Sequence, residues 1–252
     1  MICSLSFLYS LKEDWWIDLD EKHFKSLLVI HLMSIFANEA LIYICYMAIQ
    51  LNTKPSDKDL QGKSHWWGAP DLPEDMAYPY VLINEGTDDE YAEPLTFVCQ
   101  IRCDEIAEYD KEGLLPHEGM LYFFAPLDYF LGEDDSPLDQ FTKPVVIYNN
   151  STVGLVPYEI NWEDTGESIF RAAEEIIFSE QQEKSDGILM LGRPYQDEVD
   201  MQHEDDICLM QIDEDDRWGL RFYDCGMYFF FIPRKSLKKG TWEDVEGESF
   251  FY

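Results

Sequence analysis

The sequence predicts an α+β fold with mostly antiparallel sheet, built from two related halves with few helices. Aromatic and β-branched runs bounded by glycine and proline are typical of buried strands, and they recur along the chain. Three short landmarks also occur twice in the same order, which indicates an internal repeat. With 252 residues, 46% of them apolar, the chain can fill a substantial core.

The strongest repeated landmark is a strand between glycine and proline. "GMLYFFAP" from Gly119 and "GMYFFFIP" from Gly226 align without a gap and are identical at five of eight positions. A strand that contains Gln-Ile also occurs twice, as "FVCQI" and "CLMQI", and Gly-x-Pro recurs at Gly68 and Gly192. We therefore predict a duplicated strand-rich unit, with Gln100 and Gln211 at equivalent structural positions.

The domain organisation follows from these repeats. We interpret residues 1–252 as one domain, with a first repeat over about 62–150 and a second over about 186–245. An N-terminal helical segment over about 1–40 precedes them, in which Asp20 can cap a helix of apolar residues at helical spacing. His31 is interpreted as a packed histidine of that helix, and a strand over about 42–51 follows.

Two further elements lie between the repeats. Residues 144–149, "PVVIYN", have the composition of a strand. The residues after "NWEDTGES" predict a short amphipathic helix, because apolar side chains recur there at helical spacing. These side chains are Ile169, Phe170, Ala173, Ile176 and Ile177.

The segment "SHWWGAPDLPEDMAYPY" combines rigid aromatic surface with three prolines. Because proline removes backbone donors and fixes φ, we predict an irregular extended connection that crosses the sheet without joining it. Its aromatic rings either cover the core or line a ligand groove, and in an extended chain Trp66 and Trp67 would face opposite sides. The ligand-binding candidates are His65, Trp66, Trp67, Asp71, Tyr78 and His117.

These motifs together carry a resemblance to a known family. Over about residues 61–245, the chain resembles the YwqG-like family, a bacterial domain of unknown function. The resemblance is carried by the aromatic segment above and by "PLTFVCQI", "LLPHEGMLYFF", "MLGRPYQDEV", "LMQID" and "DCGMYFFFIP". The resemblance implies an α+β domain of two related halves. It implies no established reaction.

The charge of the chain limits its partners. Its 18 Lys and Arg face 51 Asp and Glu, which gives a formal net charge of −33. Phosphate binding depends on basic side chains, so nucleic acid and anionic membrane are excluded as partners, and a basic protein is favoured. The partner-binding candidates are Glu204, Asp205, Asp206, Asp213, Glu214, Asp215 and Asp216. Simple solubility is the alternative use of this charge.

Catalytic and metal motifs are absent from the sequence. The six cysteines form no CxxC pair, and several lie in apolar runs, which favours a reducing cytoplasm over a zinc site or a secreted protein. No signal peptide or membrane-spanning run is predicted. The run "DKDLQGKS" has Asp57 where a phosphate loop needs glycine, and Arg217 stands where a calcium loop needs an oxygen ligand. We predict no cofactor, no metal and no catalytic residue, with His203 in a solvated acidic loop.

Two hypotheses follow for the function. The first is a noncatalytic binding module whose acidic surface engages a basic protein, of the inhibitor or immunity type for example. The second is an enzyme or small-ligand binder with a pocket between the repeats near Trp66 and Asp71, in which His65 or His117 is the acid or base. A deep cleft with convergent histidine and carboxylate side chains would favour the second hypothesis.

Overall fold

The computed structural model describes residues 47–162 and 165–251, which belong to one compact unit, Tyr46–Tyr252. The predicted N-terminal helix with Asp20 and His31 lies outside the described residues, and so does the start of the strand predicted over 42–51. These parts stay predictions.

Antiparallel strands dominate the described chain. The ten that form the main sheet are β1 (Ala48–Pro55), β2 (His65–Trp66), β6 (Thr96–Arg102), β7 (Met120–Ala125), β8 (Val145–Asn149), β10 (Glu174–Gln181), β11 (Leu189–Met190), β12 (Asp206–Asp213), β13 (Gly226–Pro233) and β14 (Glu246–Phe251). Their order is β14-β13-β12-β11-β1-β10-β2-β6-β7-β8. Two smaller pairs join β3 (Asp71–Pro73) to β9 (Leu155–Pro157) and β4 (Tyr80–Ile83) to β5 (Tyr91–Pro94).

Helices are short within the described residues. The three α-helices are α1 (Cys103–Ile106), α2 (Asp197–Gln202) and α3 (Arg234–Leu237), and two 3-10 turns cover Tyr129–Leu131 and Trp242–Asp244. The prediction of mostly antiparallel sheet with few helices is therefore confirmed, and so is the strand predicted over 144–149, which is β8. The two aromatic runs form β7 and β13, and each pairs with a strand that carries Gln-Ile.

The main sheet curls strongly. In its order, β7 and β13 stand near opposite edges, yet the rings of Phe123 on β7 and Phe230 on β13 meet edge to face at 5.4 Å. Cys99 on β6 and Met210 on β12 likewise approach to 4.0 Å between their sulfur atoms. The inner face of the curled sheet therefore closes around one hydrophobic core.

A second core covers the outer face of β6, β7 and β8. Along β7 the side chains alternate between the two cores: Leu121 and Phe123 face the inner core, and Tyr122 and Phe124 face the outer one. All six residues of β7 are buried for this reason. A strand buried on both faces needs no polar alternation, which explains its continuously apolar sequence.

Two predictions about local structure are wrong. Residues 174–181 form strand β10 instead of a helix, with Ile176 opposite Thr53 and Ile177 opposite Asn52 of β1. Helical spacing over so few residues also fits a strand, and β-branched side chains favour the strand. The aromatic segment does join the sheet, because β2 at its start pairs with both β6 and β10.

Candidate functional site

The two adjacent tryptophans lie in the inner core. Trp66 and Trp67 are both buried, and their rings touch edge to face with centroids 5.7 Å apart. The expected alternation of successive side chains fails because Trp67 has a φ of 54°, in the left-handed region. Both rings therefore point to the same side. The indole N–H groups of both residues lack a hydrogen-bond partner among the described residues.

Trp218 completes a cluster of three tryptophans. Its ring stacks on Trp66 at 5.5 Å and meets Trp67 edge to face at 5.4 Å. Two guanidinium groups lie against this cluster: Arg217 is 4.8 Å from the Trp218 ring centroid, and Arg171 is 5.7 Å from that of Trp67. Arg171 also donates to the carbonyl of Trp218 at 3.0 Å. The cluster thus already accommodates cations on its faces.

His65 and Asp71 are buried behind these rings and belong to a hydrogen-bonded network. His65 Nδ1 lies 2.5 Å from the carbonyl oxygen of Trp67, and its Nε2 lies 3.8 Å from Asp71 Oδ2. Asp71 accepts from the Gly62 N–H at 2.8 Å and from the Gln100 amide at 2.6 Å. Burial raises the pKa of Asp71, but the His65 ring and these two donors outweigh it, so the net pKa is lowered. This network holds the turn after β2 in place.

A small cavity opens beside Trp67, where the hairpin β4–β5 leads into β6. Its volume is about 60 Å³. Of its fifteen lining residues, five are aromatic and four are charged. The lining includes Trp67, Tyr78, Glu93, Asp128, Glu133, Trp162 and Arg171.

Three carboxylates of the cavity carry raised pKa values. Burial is the main cause for Glu93, Asp128 and Glu133, and their mutual repulsion adds to it for Glu93 and Glu133. Asp128 accepts hydrogen bonds from Thr96 Oγ1 and, at 3.5 Å, from Ser136 Oγ, and both bonds lower its pKa without cancelling the effect of burial. The cavity therefore concentrates negative charge that lacks full compensation.

The sequence was compared with known proteins. No curated protein matches it. The family described as "Domain of unknown function (DUF1963)" matches residues 64–186 and 159–246, which is most of the chain. The chain belongs to the DUF1963 family. The matched residues include the aromatic segment, both Gln-Ile strands and the cavity of this DUF1963 domain.

The predicted ligand-binding residues lie in three different places. Trp67 and Tyr78 line the cavity, whereas His65, Trp66 and Asp71 lie in the interior and are absent from its lining. Tyr78 donates from its hydroxyl to the Leu95 carbonyl at 2.7 Å. His117 is elsewhere, at the end of the loop after α1, with Nε2 3.3 Å from Asp110 Oδ2.

The second acidic run, residues 213–216, binds mainly to groups within the protein. Asp213 accepts from the backbone N–H groups of Gly187 and Glu214, and Glu214 accepts from the N–H of Phe222. Burial raises the pKa of Asp213. Asp215 forms a two-oxygen ion pair with Arg217, and Asp216 pairs with Arg221. Few of these carboxylates are left for a partner.

The first acidic run, residues 204–206, is more exposed. Glu204 and Asp205 are exposed, while Asp206 binds Nδ1 of His203 at 3.0 Å. The prediction that His203 lies in a solvated acidic loop is wrong. Its ring stacks on Phe231 at 3.7 Å, and its Nε2 lies 2.9 Å from Glu248. The aromatic surface of β13 and two carboxylates hold it in place.

Within residues 47–162 and 165–251, no group of three or more His, Cys, Asp or Glu side chains is arranged to hold a metal ion. None of the helices in this part of the chain has the length and apolar character needed to span a bilayer.

Sequence reasoning missed Glu93, Asp128, Glu133, Trp162 and Arg171. They come from four separate stretches of the chain, which the fold brings together at the cavity. The one sequence signal that could have pointed to them is the clustering of Tyr, Phe and Trp in the same stretches as acidic residues.

Proposed function

We propose that this DUF1963 domain is a noncatalytic binding module that engages a basic protein and takes one of its cationic side chains into the cavity. The observation that carries the proposal is the set of three carboxylates with raised pKa values facing aromatic walls. An ammonium or guanidinium group would gain both ion pairing and contact with the ring faces of Trp67 and Trp162.

The charge balance of the cavity supports a cationic guest. One guanidinium, from Arg171, faces the carboxylates of Glu93, Asp128 and Glu133. When all three are ionised, two negative charges remain uncompensated in a partly buried site. A bound cation would neutralise them and relieve the cost of their burial, so the interaction is stronger than at an exposed site.

The size of the cavity supports a side chain over a larger ligand. A water needs roughly 10–15 Å³ of such volume, so the cavity of about 60 Å³ holds about four waters. Typical small-molecule pockets are roughly 300–1,000 Å³. A lysine ammonium or arginine guanidinium fits this space, and a cofactor does not.

A second candidate function is an enzyme or small-ligand binder that uses the same cavity. The raised carboxylate pKa values favour it, because such shifts also occur in general acids. His65 would have to act from the interior, however, where it is bonded to the Trp67 carbonyl, and His117 lies outside the cavity lining. These positions make the binding module the better proposal.

Two predictions from the sequence, the internal duplication and the family name, are also part of this proposal. We infer that the halves around Gln100 and Gln211 are copies of one unit and that the family is the YwqG-like one. The stretch between Gly68 and Gln100 is longer than that between Gly192 and Gln211, and it contains the hairpin β4–β5 with Glu93. The cavity is then a specialisation of the first copy. Buried free thiols at Cys99, Cys103 and Cys208 support a reducing cytoplasm.

The test is a titration of the protein with blocked single amino acids. N-acetyl-lysine methylamide and N-acetyl-arginine methylamide serve as cationic probes, and the glutamine analogue is the neutral control. Binding is followed by NMR at the Trp67 indole N–H. We expect the cationic probes to shift this signal. Asp128→Asn or Glu133→Gln should weaken the binding of these probes at least 10-fold, whereas Glu183→Gln, at an exposed site, should leave it unchanged.

The outcomes separate the two candidate functions. Equal binding of the glutamine analogue would overturn cation recognition. Turnover of either cationic probe, detected as a new compound by mass spectrometry, would replace the binding module with an enzyme.

A further inference from the structure

A groove of about 710 Å³ runs along β8, the strand at one end of the main sheet. Four consecutive residues of this strand line it, from Val145 to Tyr148. Successive side chains of a strand point to opposite faces, so a groove over one face would be lined by alternate residues only. This groove therefore follows the backbone edge of β8.

The groove has one apolar wall from each side of the sheet. Trp242 stands on the inner side, where its ring lies 6.0 Å from that of Tyr148. Tyr80, Val81 and Leu95 stand on the outer side, next to Val145 and Ile147. An extended chain placed against β8 would bury its alternate side chains against these two walls.

The edge of β8 offers unpaired backbone groups. Within the described residues β8 pairs with β7 on one side and is the last strand of the sheet on the other. Just before β8 begins, the 3-10 turn Trp242–Asp244 and β14 approach without pairing: Lys143 Nζ lies 3.2 Å from Glu246 and donates to the Glu243 carbonyl at 2.8 Å. The remaining edge is a template for another strand.

The charge around the groove indicates the kind of occupant. Glu243 lines it and Glu246 stands at its end. The Tyr148 hydroxyl donates to the Glu118 carbonyl at 3.1 Å, and its pKa is raised first by burial and then by the charges of Cys103 and Glu118. Lys143 is the basic residue of the lining. A second copy of the chain would bring another net charge of −33 to this edge, and repulsion opposes that association.

We infer that the edge of β8 accepts an extended segment of a basic partner protein as an eleventh strand of the main sheet. Main-chain hydrogen bonds to β8 supply affinity, and the two walls select apolar side chains at alternate positions. The inference deepens the proposed function, because it rests on a basic protein partner and names the form in which that partner binds.

The first experiment selects the probe and maps it. A displayed library of short peptides, in which apolar residues alternate with Lys or Arg, is selected against the intact chain. Hydrogen exchange of the complex then locates the bound peptide. We expect protection of the β8 amides, whereas protection confined to β14 or to another surface, or no enrichment, would overturn the inference.

The second experiment tests strand pairing on the peptide itself, where protein folding is not affected. One set of alternate peptide nitrogens is methylated, then the other set. In an added strand, only one set points towards β8. We therefore expect one methylated peptide to lose at least 10-fold in affinity and the other to bind like the parent, and equal loss in both would contradict strand addition.

The third experiment tests the outer wall with a matched pair of variants. Val81→Lys and Val81→Glu disturb the wall similarly but differ in charge. The basic peptide should therefore bind at least 10-fold more weakly to the lysine variant than to the glutamate variant. Val153→Lys, at an exposed site away from the groove, is the control and should bind normally. Equal affinities for the two Val81 variants would overturn the charge argument.

Failure of this inference is distinguishable from failure of the proposed function. The selected peptide is also measured on the Asp128→Asn protein. Protection of β8 there supports strand addition even if the cavity binds no cation. Conversely, a cavity that binds the lysine probe beside a β8 edge that stays unprotected leaves the proposed function standing and overturns the strand.

Discussion

At the residue scale, two buried glutamines hold the turns that follow β2 and β11. Gln100 accepts from the Asp71 N–H at 2.8 Å and donates to the Lys63 carbonyl at 2.9 Å. Gln211 accepts from the Tyr195 N–H at 2.8 Å and donates to the Gly187 carbonyl at 3.0 Å. A glutamine amide is suited to this role because one group both donates and accepts.

Replacing either glutamine by leucine should therefore destabilise the fold. Gln100→Leu and Gln211→Leu each leave several backbone groups without partners, and each unsatisfied buried group costs about 1–3 kcal/mol. We expect losses of at least about 2 kcal/mol in the free energy of unfolding, measured by urea denaturation. The exposed Gln202→Leu is the control. A variant as stable as the parent that loses peptide binding would point to a direct role in recognition.

Asp128 is predicted to make stability depend on pH in the direction opposite to a typical surface carboxylate. Burial raises its folded-state pKa, so the stability that it contributes is present below the unfolded value of 3.8 and is lost as pH rises through the raised value. Asp128→Asn keeps an acceptor for Thr96 and removes the ionisation. The variant should therefore be more stable than the parent at neutral pH and nearly equal to it at about pH 3.

The matched control for this prediction is Asp197→Asn. The hydrogen bond from Lys184 lowers the pKa of Asp197, an exposed residue, so its ionisation favours the folded state at neutral pH. Neutralising it should give no gain in stability. If Asp128→Asn also fails to stabilise the protein at neutral pH, burial does not destabilise the ionised Asp128 carboxylate in the free cavity. A main support for the cation site is then lost.

At the element scale, the turns after β2 and β11 pack so closely on neighbouring strands that each needs glycine. A Cβ on Gly68 would lie 2.7 Å from the Cβ of Ala173, and a Cβ on Gly192 would lie 2.6 Å from that of Ala48. The two glycines differ in backbone, because Gly68 has a φ of 76° and the φ of Gly192 is outside the left-handed region.

This difference in backbone conformation predicts that a compensating substitution restores stability more fully at one site than at the other. Gly68→Ala and Gly192→Ala should each cost about 1–3 kcal/mol through overpacking. Ala48→Gly should restore most of the stability of Gly192→Ala, since the clash is its main cost. Ala173→Gly should rescue Gly68→Ala only in part, because the left-handed backbone still disfavours alanine. Thermal denaturation of the four variants and two double variants tests this, and equal rescue at both sites would show that backbone conformation is unimportant.

The elements that could be predicted from the sequence are those whose signal is local. The runs of β7 and β13 are long, aromatic and bounded by glycine or proline, so they were predicted. The two-residue strands β2 and β11 were not, because neighbouring strands hold them by pairing. Trp67 and Tyr78 were found by their aromatic character. Asp128 was not found, because nothing local separates it from the other 50 acidic residues of the chain.

At the scale of the whole molecule, the two acidic runs, residues 204–206 and 213–216, are separated in space. They flank β12, and an eight-residue strand at about 3.3 Å per residue places Asp206 and Asp213 about 23 Å apart. That separation exceeds the Debye length of about 8 Å at physiological salt. The two runs therefore act separately on an approaching partner, and the exposed pair Glu204 and Asp205 is better placed to attract it than the internally bonded second run.

Charge and cavity should then affect different rate constants for a cationic protein ligand. With oligo-lysine as the probe, we expect the association rate to fall at least 10-fold between low and high salt, because screening removes long-range attraction. The double variant Glu204→Gln and Asp205→Asn should associate more slowly and dissociate at the parent rate. Asp128→Asn should instead dissociate faster, because it removes a contact made only in the bound state. Stopped-flow tryptophan fluorescence measures both rates. An association rate insensitive to salt and to the double variant would leave the net charge of −33 with solubility as its use.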